Sequence, residues 1–147
     1  MPFGATIALA VSLAFTGSTS TIQATTPIST FDQSQTVEEY VRDYFDDIPV
    51  MAEVASCESH FRQFDSNGHV LKNANSSAVG VFQIMSSIHA SAADENLGLD
   101  IYSLQGNAAY ARYLYERQGL KPWAASKGCW SKSQAYKDMQ SAKLAVK

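Results

Sequence analysis

Apolar side chains recur at spacings of three and four from Val37 to Ile48: Val37, Tyr40, Val41, Tyr44, Phe45 and Ile48. Arg42, Asp43, Asp46 and Asp47 fall on the opposite face, so the segment predicts an amphipathic helix. Thr36 is its cap, with Glu38 and Glu39 in the first turn where they complement the helix dipole. Pro49 separates it from a second helix and suits that helix's first turn. The second stripe is Val50, Met51, Val54, Ala55 and Phe61, and Cys57, Glu58 and Ser59 come near its end.

The helical period then stops. Phe64 to Leu71 places Asn67-Gly68 between two short apolar segments, which predicts a small β-hairpin. Residues 72–77 are a polar loop, followed by the segment Gly80-Val81-Phe82-Gln83-Ile84-Met85. Ser87 caps a predicted helix that runs to about Asn96 and stops at Gly98. Ser103 starts another, with Leu104, Ala108, Ala111, Leu114 and Tyr115 inside and Gly119 as its stop. Pro122 makes Lys121-Pro122-Trp123 extended. A last amphipathic piece covers about Ser131 to Lys143. The expected class is α+β, mainly helical, with one small β-hairpin after the second helix.

Phe3 to Phe15 is uncharged and rich in Ala, Ile, Leu and Val, with Ser and Thr behind it and Ile22-Gln23-Ala24 as a small-residue cleavage site. This h-region is too short to span a bilayer, so residues 1–24 read as a secretory signal, although no Lys or Arg precedes it. The alternative is a buried N-terminal helix. Residues 25–35 are Thr/Ser/Pro/Gln-rich and read as a linker. That leaves 36–147 as one domain, long enough for one hydrophobic core. The expected location is secreted, periplasmic or cell-wall-associated, with no integral membrane segment in the mature chain.

The net charge of -3, without any run of Lys or Arg, gives no electrostatic footprint for nucleic acid. Two cysteines in an exported chain suggest one disulfide, Cys57 to Cys129, which would close a loop of roughly 70 residues. Two separate buried thiols are the alternative. His60, His69 and His89 lack the spacings of a metal site, so no metal and no cofactor are expected. Cys57 with His60 could form a thiol–histidine pair, but Cys129 favours disulfide use.

Glu58 is the candidate general acid. A carboxyl beside an apolar stripe is partly desolvated, which raises its pKa toward the range where it can protonate a leaving oxygen. The competing reading is a solvated side chain paired with Arg62 at i+4, which would keep it charged.

Glu58-Ser59 at a helix end, followed by Gly80-Val81-Phe82-Gln83-Ile84, resembles the lytic transglycosylase and lysozyme-like superfamily, including resuscitation-promoting-factor-type domains. Residues 107–114, beginning at Asn107 and ending Tyr113-Leu114, resemble that family's Asn-led helix. Pro122-Trp123-Ala124-Ala125-Ser126 and Gly128-Cys129-Trp130 resemble the closing segment of a subgroup in which a Cys beside the catalytic Glu is bridged to a C-terminal Cys. The resemblance covers about Val37 to Trp130.

It implies a lysozyme-like fold and cleavage of the β-1,4 bond between N-acetylmuramic acid and N-acetylglucosamine, with Glu58 as general acid and base. Gln83 would hydrogen-bond the sugar and Gly80 would let backbone approach it. Phe82 would either wall the cleft or pack in the core, and Trp123 would either stack on a sugar face or bury behind the disulfide. Asn107 would anchor the local structure, and Tyr113 would support Glu58. Asp65 is the one carboxylate near enough in sequence to act as a second catalytic group, and the alternative is an Asx-turn residue. The implied partner is a peptidoglycan glycan strand, engaged by a monomer. A muramidase on the same fold and a non-catalytic wall-binding module are the rival readings.

Overall fold

The computed structural model describes residues 35–145. The expected signal segment at 1–24 and all but the last residue of the expected linker lie outside the described residues. Helix α1 (Val37–Tyr44) opens on a reciprocal cap: the Glu39 amide donates to Thr36 Oγ1, and the Thr36 amide donates back to the Glu39 carboxylate. After Pro49 comes α2 (Val50–Ser59), whose Val50, Met51, Val54 and Ala55 are each at most 1% exposed. His60 and Phe61 adopt left-handed backbone, with φ of 55° and 57°, and so end α2. Phe61 therefore leaves the predicted stripe, and its ring lies under the Arg42 guanidinium.

The small sheet falls later than the turn residues predict. Residues 64–71 form only a single bridge, Phe64 to Val70, whereas β1 (Ala78–Val79) pairs antiparallel with β2 (Ile84–Met85). Burial decides between them. Phe64 is 45% exposed, while Ala78, Val79, Val81, Phe82 and Ile84 are all at most 6% exposed. Asn67-Gly68 supplies a turn but no apolar face to hold strands beside it.

Helix α3 (Ser86–Leu97) has Met85 at its cap position, two residues before the predicted cap Ser87, and stops at Gly98 as the sequence predicts. Ser103 caps α4 (Leu104–Gln118), accepting from the Gly106 amide at 3.0 Å, and Gly119 ends it. Lys121–Ser126 is a pair of short 3-10 turns that meet at a kink at Trp123 (φ -106°, ψ 27°), rather than extended chain. Pro122 sits in its first turn, where a missing N–H costs nothing, and Trp123 is buried by the turn. Then follow α5 (Lys127–Trp130) and α6 (Gln134–Ala145), the latter starting later than predicted.

Helix α2 is central, packing against α1, the 3-10 turns, α5 and α6. Beside it Phe82 meets Phe45 and Trp123 edge-on, with ring centroids 5.2 and 6.1 Å apart. Arg112 of α4 forks onto the Asp47 carboxylate at 2.8 and 2.9 Å and also donates to the Tyr44 carbonyl, tying α4 to the end of α1. The class is as predicted: mainly helical, with one small antiparallel sheet. Among the described residues, no helix is long and apolar enough to cross a membrane.

Candidate functional site

The turn between β1 and β2 is a buried loop whose backbone needs partners it cannot find in a two-residue strand. The partners are side chains from elsewhere. Val81 N donates to Gln63 Oε1 and Phe82 N donates to Asn107 Oδ1, each at 2.9 Å. The Val81 carbonyl accepts from Ser59 Oγ at 2.8 Å, and the Phe82 carbonyl accepts from Trp123 Nε1 at 2.9 Å. Gly80 N donates to the Leu71 carbonyl, and the Gly80 carbonyl accepts from both the amide and the side chain of Gln83. Every peptide group from Gly80 to Phe82 is thus satisfied. Ser59, Gln63 and Asn107 are also the buried polar side chains among the described residues, and all three serve this turn.

Glu58 stands next to Ser59 in the last turn of α2. Its carboxyl is half-buried, and burial pushes its pKa above the ordinary glutamate value. Ser126 opposes this in part, donating its hydroxyl to Oε1 at 2.6 Å. The alternative pairing with Arg62 does not form. Because α2 ends at Ser59, Arg62 lies beyond two left-handed residues, and its Nε donates to the Ser59 carbonyl at 2.9 Å. The Cys57–Cys129 disulfide, with Cα atoms 6.0 Å apart, fastens α5 to the residue beside Glu58. Ser126 immediately precedes α5, so the bridge and the hydrogen bond act on the same short strap.

Gln83 makes no hydrogen bond to Glu58: its side-chain amide donates to the Gly80 carbonyl at 2.9 Å, and Glu58 is not among the residues lining the pocket that Gln83 borders. Gln83 takes a left-handed φ of 48° and lines a pocket of about 140 Å³ with His89, Leu114, Gln118 and Trp123 among its walls. His89 Nδ1 is 3.1 Å from the Tyr110 hydroxyl, and burial pushes the His89 pKa down.

Other predicted site residues have different surroundings. Gly80 is buried, and a Cβ there would fall 2.6 Å from Gln63 Oε1 and closer still to the Asn107 amide. The glycine thus makes room for the protein's own buried amides rather than for an approaching sugar. Phe82 is 0% exposed and has no surface to offer a glycan, so the core alternative applies. Trp123 is 3% exposed, with its ring nitrogen committed to the Phe82 carbonyl and one edge on the small pocket. Tyr113 packs on Tyr110 and under the Arg117 guanidinium. Asp65 Oδ1 accepts from the amides of Asn67 and His69 at 2.8 and 2.9 Å, the Asx-turn arrangement, and these bonds lower its pKa. Asn107 is an anchor, donating to the Val79 and Ile101 carbonyls besides accepting from Phe82.

Sequence reasoning gave no role to Gln63 or Ser126. Gln63 stands between Arg62 and Phe64 with no local pattern to single it out. Ser126 belongs to the Pro122–Ser126 segment, and only the fold reveals what its hydroxyl faces. No known protein family, no curated protein and no solved structure matches this chain.

Proposed function

We propose that this chain is an exported lytic transglycosylase that cleaves the β-1,4 bond between N-acetylmuramic acid and N-acetylglucosamine in peptidoglycan, with Glu58 as its single catalytic carboxyl. The observation that carries the reading is a half-buried glutamic acid with a raised pKa and, among the described residues, no ion-pair partner. Such a group holds its proton at a higher pH than a surface glutamate and can deliver it to a glycosidic oxygen. As the C1–O4 bond breaks, the electron pair leaves with the N-acetylglucosamine oxygen, which takes the Glu58 proton. The muramyl O6 hydroxyl then attacks the oxocarbenium-like C1, and its proton passes to the Glu58 carboxylate. The products are a 1,6-anhydromuramyl end and a new free 4-hydroxyl, and Glu58 is again protonated.

The Asx turn at Asp65 favours this route over hydrolysis. A retaining or inverting hydrolase needs a second carboxylate poised at the scissile bond. Asp65 instead holds its own loop together through two backbone amides. The disulfide fits an oxidising compartment outside the cytoplasm.

The test is digestion of purified peptidoglycan by the wild type and by Glu58→Gln, with the muropeptides read by mass spectrometry. Anhydromuramyl ends from the wild type and none from the variant are expected. Reducing ends would replace this reading with a muramidase, and wild-type binding without cleavage would replace it with a wall-binding module. Equal cleavage by both proteins would remove Glu58 from the chemistry.

A further inference from the structure

We infer that Ser126 is a positioning residue for the Glu58 carboxyl: it occupies Oε1, leaves Oε2 as the oxygen that carries the reacting proton, and grips harder as that proton departs. The inference rests on the transglycosylase reading above. The hydroxyl lies 2.6 Å from Glu58 Oε1 and 3.2 Å from the Trp123 carbonyl, and it has one hydrogen for two acceptors. The much shorter contact, 2.6 Å against 3.2 Å, gives the serine hydrogen to the carboxyl.

With Oε1 taken, the carboxyl is fixed in rotation and its proton resides on Oε2. While Glu58 is protonated, the serine bond is one between neutral groups. As the proton moves to the glycosidic oxygen, charge develops on the carboxylate and the same bond becomes charge-assisted, roughly twice as strong. An interaction that strengthens along the reaction coordinate lowers the barrier instead of merely stabilising the starting state. The serine is itself held, because the disulfide fixes α5 directly after it and Trp123 fixes the turn before it.

Among the described residues, no ion pair reaches Glu58. Arg42 of α1 is engaged with Glu38 and Glu53, and Arg62 with the Ser59 carbonyl. Burial raises the Glu58 pKa and the Ser126 hydrogen bond lowers it.

The experiment compares wild type, Ser126→Ala and Ser126→Thr by carbon-13 NMR titration of the Glu58 carboxyl, assigned by its loss in Glu58→Gln. The same proteins are then assayed on purified peptidoglycan across pH. Ser126→Ala is expected to move the Glu58 midpoint upward and to lower kcat about tenfold, with KM within about twofold. The alkaline limb of its kcat profile should move to higher pH, because the acid stays protonated longer. Ser126→Thr, which keeps the hydroxyl, should restore all three. An unmoved midpoint in Ser126→Ala, or a threonine variant that behaves as the alanine one, overturns the inference while peptidoglycan cleavage stands. A moved midpoint in a protein that never cleaves peptidoglycan overturns the transglycosylase reading and leaves Ser126 tuning a carboxyl of another purpose.

Discussion

Ser59 donates its hydroxyl to the Val81 carbonyl across 2.8 Å, which makes the residue after the candidate acid a structural part of the β1–β2 turn. The same oxygen accepts from the Arg62 amide at 3.1 Å, so it also closes the end of α2. Replacing it with alanine leaves the Val81 carbonyl buried without that donor. Ser59→Ala should therefore lose about 1–3 kcal/mol in a urea titration, with Glu58 still present.

Asn107→Ala should cost more than Ser59→Ala, about 3 kcal/mol or more. It strands the Phe82 amide and removes the donor to both Val79 and Ile101 in one change. An equilibrium denaturation curve equal to that of the wild type would show that water replaces the asparagine.

Gly80→Ala tests the same enclosure from the other side. The backbone there has φ of 72°, and the added methyl group would run into the amides of Gln63 and Asn107. Thermal melting should report a loss of about 1–3 kcal/mol. A shift of that size in a protein that still binds glycan would assign the glycine to folding rather than to substrate.

Glu58 makes stability depend on pH in a direction opposite to most surface carboxylates. Its folded pKa is raised, so between the unfolded and folded values the native state binds more protons, and stability falls as pH rises through that window. Below both values the effect is absent. Glu58→Gln cannot ionise, so it should melt at a higher temperature than the wild type at neutral pH, and the gap should close as pH falls below the ordinary glutamate range. A gap that widens in acid would mean that the folded carboxyl is not destabilised in its charged form.

The disulfide spans 72 residues of sequence, and its reduction should cost up to about 4 kcal/mol through the entropy regained by the unfolded chain. Thiol titration of the denatured, unreduced protein should find no reactive thiol. Melting with and without reductant should then show the loss, and under the proposed function peptidoglycan cleavage should fall with it, because the strap carrying Ser126 is released from α2.

Where the sequence was legible, the physics was local. The α1 cap, the stop at Gly98, the start at Ser103 and the buried stripe of α2 each depend on residues within a turn or two of one another. The β1–β2 turn depends on residues far away. Its amides are met by Gln63 and Asn107, and its carbonyls by Ser59 and Trp123, so no window of sequence contains its reason for forming. Phe82 illustrates the same limit: an aromatic residue in a cleft motif can face either way, and only the ring contacts with Phe45 and Trp123 decide it. Lys121-Pro122-Trp123 failed for a different reason. The bias that proline places on its predecessor was outweighed by burial of the neighbouring indole.

Because the disulfide joins residue 57 to residue 129, the exposed loop at residues 72–76 lies on a covalently closed ring. A protease that nicks this loop severs the backbone without separating the fragments. The two pieces stay joined beside Glu58, and the cut ends lie in a segment that supplies none of the bonds holding the turn's Val81 and Phe82. The architecture therefore tolerates a clipped chain.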